Sequence, residues 1–358
     1  MCGIVGYVGP RDAATVVLEG LRRLEYRGYD SAGVAVACEG GIQRRRSVGK
    51  LVHLEAILKE QPLCGHVGMG HTRWATHGGV TEANAHPHTD GEGVIVVIQN
   101  GIVENYTALK QRLLAEGVTF ASQTDTEVIA HLISRYYRRG QEPLARAVGR
   151  ALQELKGPSA VVVMSALEPD RLVAARLGNA GGVVIGVGEG EMFVASDMPA
   201  ILEYTQRMIF LEHRELALVT AQGAEFATLE GAPLPKSITT VSWNPVQVAK
   251  GGYRHFMLKE IMEQPRSVTD VIRGRVDFDR ALVLLPDLEP LRPVWPHLRR
   301  LHAVACGTAW HACLLAKFLI EDLARLPVEV DYGSEFRYRD PLLEPGSVVL
   351  VITQSGET

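Results

Sequence analysis

The chain has 358 residues, of which 46% are hydrophobic and 22% are charged, and its formal net charge is −4. This composition is typical of a globular protein, and the length allows about two or three domains with substantial cores. The weak negative charge gives no indication of nucleic-acid binding, and we interpret the basic run Arg44-Arg45-Arg46 as a solvated strand or turn. Because no stretch of about 18 apolar residues and no secretory signal is present, we expect neither a membrane span nor export.

The number of cysteines and the position of the first one are both informative. Five cysteines, an odd number without a CxxC pair, favour a cytoplasmic protein over a disulfide-stabilised one. Removal of Met1 would leave Cys2 with a thiol nucleophile and a free α-amine on one residue. With pKa values of about 8.5 and about 7.7–8.0, these groups exchange a proton readily near neutral pH. Considered by itself, Cys2 is more simply a small buried thiol at the start of a strand.

Hydrophobic spacing predicts two stacked sheets covered by helices over residues 1–220, an α+β arrangement. Helices are predicted at 12–24, at 105–116, and from the capping-box spacing of 124–127 to a stop at 138–140. Strands are predicted at 3–8, 32–38, 42–48, 94–99, 159–166, 171–176, 183–187, 192–195, 208–211 and 215–220.

The pattern changes after residue 220. Residues 221–290 are predicted to be a linker, because 230–245 are rich in Pro, Ser and Thr, with one helix at 253–272. Residues 291–358 then alternate strand and helix, which predicts a parallel α/β sheet. Its strands are predicted at 301–305, 328–330 and 347–352, with a turn at 306–308 before a helix at 310–324.

Two polar segments of the first half have functional interpretations. Arg73, within 71–78, is suited to binding a carboxylate through two parallel hydrogen bonds, although a loop with a surface arginine is equally consistent. Asn100 and Gly101 follow a buried strand, where a side-chain amide and a backbone N–H could hold an oxyanion. An ordinary hairpin turn is the alternative for Asn100-Gly101.

Two further polar segments of the first half also have functional interpretations. Asp125 could bind a substrate ammonium, or simply complement the dipole of the helix that it precedes. The histidines of 84–88, beside His77, could be metal ligands, but no Cys, Asp or Glu completes such a site, so we expect a structural loop and no metal. A thiol with its own base, an oxyanion pair, a carboxylate site and an ammonium site would suffice to hydrolyse the side-chain amide of glutamine.

The motifs are similar to those of a known enzyme family. The first half resembles the class II, N-terminal-nucleophile (Ntn) glutamine amidotransferases in MCGIVGYV, EYRGYDSAG (25–33), HTRWATHG (71–78), NAHPH (84–88), NG (100–101) and TDTE (124–127). The second half resembles the isomerising glutamine–fructose-6-phosphate aminotransferases, which make glucosamine 6-phosphate, in YRHFM (253–257), CGTAWHA (306–312), SEFRYRD (334–340) and TQSGET (353–358).

The resemblance implies a fold and a catalytic set. It implies a four-layer αββα Ntn sandwich followed by the truncated start of a sugar-isomerase (SIS) domain. Cys2 would be the nucleophile, with Asn100 and Gly101 as the oxyanion hole. Arg73 would bind the α-carboxylate of L-glutamine, and Asp125 its α-ammonium. No cofactor is implied.

The remaining roles also follow from the resemblance. Thr76 and His77 would line the glutamine pocket, while Trp74 and Arg27 would gate the passage of ammonia. A phosphate site for fructose 6-phosphate would be formed by Thr308, Gln354, Ser355 and Thr358. Small hydroxyl residues at a helix start after a buried strand independently suit an anion.

The resemblance leaves expectations about the chain as a whole. Members of the family continue beyond Thr358 with the sugar-isomerising residues, so we expect this chain by itself to hydrolyse glutamine without making the amino sugar. A homodimer is expected at full length. The alternatives are another class II amidotransferase, or a non-catalytic SIS sensor of sugar phosphates that would not need Cys2, Arg73 and Asp125 together.

Overall fold

The computed structural model describes residues 2–178, 180–242, 252–277 and 279–353. The chain divides into two compact units, Met1–Ala249 and Lys250–Thr358. No helix in these ranges is long and apolar enough to cross a membrane. The domain ranges 1–220, 221–290 and 291–358 stay a prediction.

The first unit is built around two antiparallel sheets. Its strands in chain order are β1 (Gly3–Val8), β2 (Ser31–Cys38), β3 (Gly41–Val48), β4 (Val67–Arg73), β5 (His88–Thr89), β6 (Ile95–Gly101), β7 (Ser159–Ser165), β8 (Glu168–Leu177), β9 (Val184–Val187), β10 (Met192–Ala195), β11 (Arg207–Phe210), β12 (Glu215–Thr220), β13 (Gly223–Thr228) and β14 (Thr239–Thr240). Within the described ranges, one sheet has the order β14-β11-β9-β10-β1-β4-β2-β3 and the other β13-β12-β8-β7-β6-β5.

Five helices cover the outer faces of these sheets in the described part of the unit. They are α1 (Ala13–Leu24), α2 (Leu51–Glu60), α3 (Tyr106–Ala115), α4 (Thr126–Tyr137) and α5 (Leu144–Gln153). Three apolar layers result: α1 and α2 pack on the first sheet, the sheets pack on each other, and α3 to α5 pack on the second sheet. The predicted four-layer αββα sandwich is confirmed.

Helix α1 shows how local sequence produces this packing. The carboxylate of Asp12 accepts the backbone N–H of Thr15 at 2.9 Å and caps the helix start. Val17, Leu21 and Leu24 recur at helical spacing and are fully buried. Each such side chain contributes about 1.5–3 kcal/mol when it leaves water, so the buried face stabilises α1 on the sheet.

Helix α4 begins where the capping-box spacing predicts, but the box itself does not form. The carboxylate of Glu127 accepts the backbone N–H groups of Ala121 and Ser122, both at 2.7 Å. Because Glu127 satisfies the preceding loop, it is not available to the backbone of Thr124. The helix ends at Tyr137, and Arg138 adopts the left-handed conformation with φ 48°, which agrees with the predicted stop.

The second unit contains the predicted parallel sheet. Its described elements are α6 (Phe256–Ile272), β15 (Val276–Asp277), β16 (Leu282–Val283), β17 (Arg300–Ala305), α7 (Gly307–Ala324), β18 (Val328–Tyr332), α8 (Gly333–Tyr338) and β19 (Ser347–Ile352). Strands β18, β17 and β19 pair in parallel in that order. The prediction of a turn at 306–308 was wrong, because Gly307 adopts φ +61° and lets α7 begin directly after Cys306.

Candidate active site

Cys2 lies just before β1, next to the end of β4. Pairing of Gly3 with Thr72 brings the thiol to the backbone of Trp74, whose N–H donates to Cys2 Sγ at 3.1 Å. Burial raises the pKa of the Cys2 thiol, while the Trp74 hydrogen bond and the charges of Arg73 and Arg27 oppose that shift. The thiol therefore rests protonated and needs a base before it can attack a carbonyl.

Asp30 holds the segment that contacts this thiol. Its carboxylate accepts the N–H of Ala75 at 2.7 Å, and its own N–H donates to the carbonyl of Arg73 at 3.0 Å. A Cβ on Gly28 would lie 2.7 Å from the carbonyl carbon of Arg73, so this close approach requires glycine. We did not single out Asp30 from the sequence, although it belongs to the motif at 25–33.

Asn100 lies beside Cys2 at the end of β6. Its carboxamide nitrogen donates to the carbonyl oxygen of Cys2 at 3.0 Å, and its carboxamide oxygen lies 3.1 Å from Nε2 of His71. Gly101 has φ +111°, and a Cβ there would lie 2.1 Å from the carbonyl oxygen of Pro158. Only glycine fits, and Asn100-Gly101 ends a strand where a hairpin turn was the alternative.

Arg73 ends β4 and is buried. Its guanidinium donates to the carbonyl of His77 and, at 3.3 Å, to that of Gly79. Burial lowers the pKa of the Arg73 guanidinium, and the nearby Cys2, Asp125 and Asp30 oppose that shift. Arg73 is therefore not a surface residue but a buried cation close to the candidate nucleophile.

Asp125 immediately precedes α4 and is 4% exposed. One carboxylate oxygen accepts the backbone N–H of Val103 at 2.7 Å, which ties the helix start to the segment after β6. The side chain makes no hydrogen bond that caps α4. A buried carboxylate near the Arg73 guanidinium can bind a ligand that carries both an ammonium and a carboxylate group.

The loop between Arg73 and the histidine segment has both buried and exposed side chains. Trp74 is 46% exposed and contacts the ring of Tyr29 edge-on at 5.4 Å. Thr76 is exposed. Nδ1 of His77 is buried without a hydrogen-bond partner among the described residues, and the ring contacts Tyr106 at 5.1 Å. His77 thus has an unused polar atom close to the loop that Arg73 organises.

Arg27 is buried and close enough to Cys2 for its charge to affect the thiol pKa. Its guanidinium forms an ion pair with Asp197 at 2.7 Å, and the Asp197 carboxylate also accepts the N–H of Met198 at 2.8 Å. Tyr26 donates to the same carboxylate at 3.3 Å. Arg27 is therefore anchored to the turn that follows β10.

The histidine segment is a structural loop with an ordered interior. His86 stacks on His71 with ring centroids 4.1 Å apart and meets His88 edge-on at 4.8 Å. Burial lowers the pKa values of His71 and His88 to about 3, so both are neutral at neutral pH. In the described part of the chain, no group of three or more His, Cys, Asp or Glu side chains could hold a metal ion.

The basic run on β3 supports the same loop, which corrects its interpretation as a solvated strand. Arg44 donates to the carbonyl of Pro87 at 3.1 Å, and Arg46 to that of Ala85 at 3.0 Å. Asn84 connects the loop to the chain before α4, because its carboxamide oxygen accepts the N–H of Gln123 at 2.9 Å.

The candidate phosphate-binding residues lie in the second unit. Thr308 is exposed in the first turn of α7, directly after β17. Strands β17 and β19 are neighbours, with Ala305 paired to Ile352, so their carboxyl ends share one edge of the sheet. Gln354, Ser355 and Thr358 lie outside the described residues.

Comparison with known proteins identifies the family of the chain. Residues 55–234, just over half of the chain, match the family model for a glutamine amidotransferase domain. The chain belongs to the glutamine amidotransferase family. Residues 297–358 match the SIS domain, as predicted for the second half.

Curated relatives extend the agreement to the whole chain. Proteins of Symbiobacterium thermophilum and of Thermus thermophilus are each 48% identical to it. Both are named glutamine–fructose-6-phosphate aminotransferase [isomerizing], and each match covers 100% of this chain and 58% of the relative. The chain thus spans less than two thirds of the length of these relatives.

Solved structures share the fold. The glutamine phosphoribosylpyrophosphate amidotransferase of B. subtilis has a TM-score of 0.57 at 20% identity, covering 92% of this chain and 65% of that one. A structure described as the allosteric regulatory enzyme of purine biosynthesis has a TM-score of 0.56 at 26% identity, covering 64% of this chain and 49% of that one. These scores indicate a shared fold over the covered part of the chain.

Proposed function

We propose that this chain hydrolyses the side-chain amide of L-glutamine with Cys2 as the nucleophile. The observation that carries the proposal is that the Cys2 thiol accepts the Trp74 N–H at 3.1 Å, while the Asn100 carboxamide donates to the backbone carbonyl of the same cysteine at 3.0 Å. Membership of the glutamine amidotransferase family supports it.

The proposed reaction proceeds through a thioester. Once Met1 is removed, the α-amine of Cys2 accepts the thiol proton, and the thiolate attacks the amide carbon. Asn100 Nδ2 and the N–H of Gly101 stabilise the resulting oxyanion. The α-ammonium returns its proton to the departing nitrogen, ammonia leaves, and water hydrolyses the thioester to glutamate and the free thiol.

The two ends of free glutamine would be bound by buried charges. Arg73 binds the α-carboxylate and Asp125 the α-ammonium, while Thr76 and His77 line the pocket. Arg73 would exchange part of its bonding to the carbonyls of 77–79 for the ligand, so loop 74–79 adjusts when glutamine binds. Trp74, exposed on that loop, and Arg27 behind the thiol would control the exit of ammonia.

We further infer that the ammonia serves the synthesis of glucosamine 6-phosphate from fructose 6-phosphate. The names of the relatives and the SIS match support this wider activity. Thr308, Gln354, Ser355 and Thr358 would bind the sugar phosphate, in a cytoplasmic homodimer that needs no cofactor. Product analysis for glucosamine 6-phosphate, using protein expressed from the complete coding region, tests this inference.

The glutaminase proposal is tested by replacing the nucleophile. Cys2→Ala should abolish the release of ammonia from glutamine, and a glutamine-like electrophile should label Cys2 in the unmodified protein. Cys64→Ala, which removes an exposed cysteine, is the matched control and should retain activity. Hydrolysis by Cys2→Ala would refute Cys2 as the nucleophile, whereas unmodified protein that releases no ammonia would favour a sugar-phosphate sensor.

A further inference from the structure

The carboxamide of Asn100 is held from both sides, and the chemistry of its neighbours determines its orientation. On one side the carbonyl oxygen of Cys2, which can only accept, lies 3.0 Å from the carboxamide nitrogen. On the other side Nε2 of His71 lies 3.1 Å from the carboxamide oxygen and 3.0 Å from the carbonyl oxygen of Gln99. Nε2 faces two acceptors, so it must carry the proton and donate.

The His71 ring is itself fixed. His86 stacks on it with an interplanar angle of 13°, and His86 Nδ1 accepts the backbone N–H of Gln99 at 3.3 Å. His86 Nε2 lies 3.4 Å from the hydroxyl of Thr126, which donates to the side-chain oxygen of Gln99 at 2.6 Å. Every donor in this hydrogen-bond network faces an acceptor, so reorienting the ring of His71 or His86 would break several hydrogen bonds.

A flipped Asn100 carboxamide would be opposed at both ends. Its oxygen would meet the carbonyl oxygen of Cys2, and its NH₂ group would meet the N–H of His71. It would also present an oxygen where the oxyanion forms. The observed orientation leaves the second N–H of the carboxamide nitrogen for that oxyanion.

We propose that His71 is a positioning residue for amide hydrolysis, because its Nε2–H holds the Asn100 carboxamide with the nitrogen directed toward Cys2. This inference rests on the proposed glutaminase function. The side-chain hydrogen bonds of His71 go to Gln99 and Asn100 and not to the Cys2 thiol, so it acts through Asn100. It should therefore affect the rate of the chemical step and leave the binding of glutamine unchanged.

A matched pair of variants tests the role. In His71→Gln the longer amide can place an N–H near the position of Nε2, whereas the shorter side chain of His71→Asn cannot reach Asn100. We expect His71→Asn to lower kcat about tenfold to a hundredfold, which is no more than the effect of removing a whole oxyanion donor. The KM for glutamine should stay within about twofold of its value in the unmodified protein. His71→Gln should retain at least about half of the wild-type kcat, because its side-chain amide can replace the hydrogen bond from His71 to Asn100.

A double-mutant cycle separates positioning from general damage. In the Asn100→Ala background, His71→Asn and His71→Gln should have equal kcat, because no carboxamide remains to be held. Wild-type kcat in His71→Asn, equal losses in the two variants, or an undiminished effect of His71→Asn without Asn100 would each overturn the inference. Wild-type protein that does not hydrolyse glutamine would overturn the proposed function and this inference with it.

A measurement on the unmodified protein needs no variant to fold. Long-range ¹H–¹⁵N correlation spectra distinguish the two neutral imidazole tautomers. We expect His71 to be protonated at Nε2 and unprotonated at Nδ1, an atom that is buried without a hydrogen-bond partner in the described residues. Observation of the Nδ1–H tautomer would contradict the proposed hydrogen bond to Asn100.

Discussion

The carboxylate of Asp30 accepts the backbone N–H of Ala75 at 2.7 Å, while the backbone N–H of Asp30 donates to the carbonyl of Arg73 at 3.0 Å. The two bonds bracket Trp74, whose N–H contacts the Cys2 thiol. Asp30 thus orients a donor that opposes the raised pKa of the Cys2 thiol, although Asp30 itself makes its hydrogen bonds to Arg73 and Ala75.

Replacing Asp30 should therefore change the reactivity of the thiol. In Asp30→Ala the segment at Trp74 loses one anchor, its N–H donates less well to Cys2, and the thiol pKa rises further. We expect alkylation of Cys2 by iodoacetamide near neutral pH to slow about threefold to tenfold, a change consistent with one hydrogen bond. The rate is measured by mass spectrometry across a pH series.

The matched control for this variant is Asp12→Ala. Asp12 caps α1 and its loss costs about 0.5–2 kcal/mol of stability. Slower alkylation in Asp12→Ala of the same size would mean that the effect of Asp30→Ala reflects destabilisation and not the bracket around Trp74.

A second prediction concerns substrate binding by Asp125. Asp125→Asn keeps the volume and an oxygen that can accept the N–H of Val103, but it loses the negative charge. A charge-assisted hydrogen bond contributes about 1.5–3 kcal/mol, so KM for glutamine should rise about tenfold to a hundredfold with kcat little changed.

The buried Asp90 provides the comparison for that experiment. Its carboxylate accepts the N–H of Val94 at 2.9 Å and the hydroxyl of Ser134 at 2.7 Å, a wholly structural arrangement. Asp90→Asn should lower stability and leave KM unchanged. If both variants shifted KM equally, Asp125 would have no particular role in binding glutamine.

A third prediction concerns Glu127, whose carboxylate binds the preceding loop and does not form the expected capping box. Burial by itself raises the pKa of Glu127, but the His131 ring, 3.5 Å away, and hydrogen bonds from Ser122 and from the backbone of Ala121 outweigh it and lower the pKa to about 2. The folded-state pKa lies below the reference value of 4.5. The stabilisation is therefore present above about pH 4.5 and is lost as the pH falls toward 2.

Glu127→Gln should remove this dependence. We expect the free energy of unfolding at neutral pH to fall by about 2 kcal/mol, and the loss of stability in acid between pH 4.5 and 2 to become smaller. Denaturant titrations at several pH values measure both. Glu116→Gln, which removes a partly exposed ion pair with Arg135, should cost less than about 1 kcal/mol, and an equal cost would contradict the prediction.

The sandwich could be predicted from the sequence because its signals are local. The apolar spacing of α1 and the buried runs of β1 and β6 have one simple interpretation each. The start of α7 could not be predicted, because a Cys-Gly-Thr sequence suits a turn as well as a helix start at φ +61°. The capping box failed because Glu127 had a competing set of backbone donors across the preceding loop.

The site was only partly predictable for a related reason. The motifs indicated the residues that would contact glutamine, but Asp30, His71 and Arg46 act on other protein groups. A histidine on a buried strand predicts a core position, and an arginine run predicts a solvated face. Their partners come from distant strands and loops, so no spacing in the sequence identifies them.

The last prediction concerns the three adjacent buried histidines, His71, His86 and His88, and the stability of the protein in acid. Burial lowers the pKa values of His71 and His88 from 6.5 to about 3, and it lowers that of His86 well below 6.5. The unfolded chain therefore binds more protons between about pH 3 and 6.5, and the free energy of unfolding falls as the pH drops through that window. The slope is up to about 1.4 kcal/mol per pH unit for each histidine.

Removing one histidine should reduce the number of protons taken up on unfolding by about one, and the slope should fall accordingly. In His88→Gln, the pH dependence of the free energy of unfolding between pH 5 and 6.5, measured with denaturant, should correspond to about one proton fewer taken up on unfolding. Thr124→Val is the matched control, because it removes the hydroxyl 3.1 Å from His88 Nε2 and keeps the titrating ring. This control should lower stability without changing the slope. An unchanged slope in His88→Gln would mean that His88 is not held neutral in the folded protein.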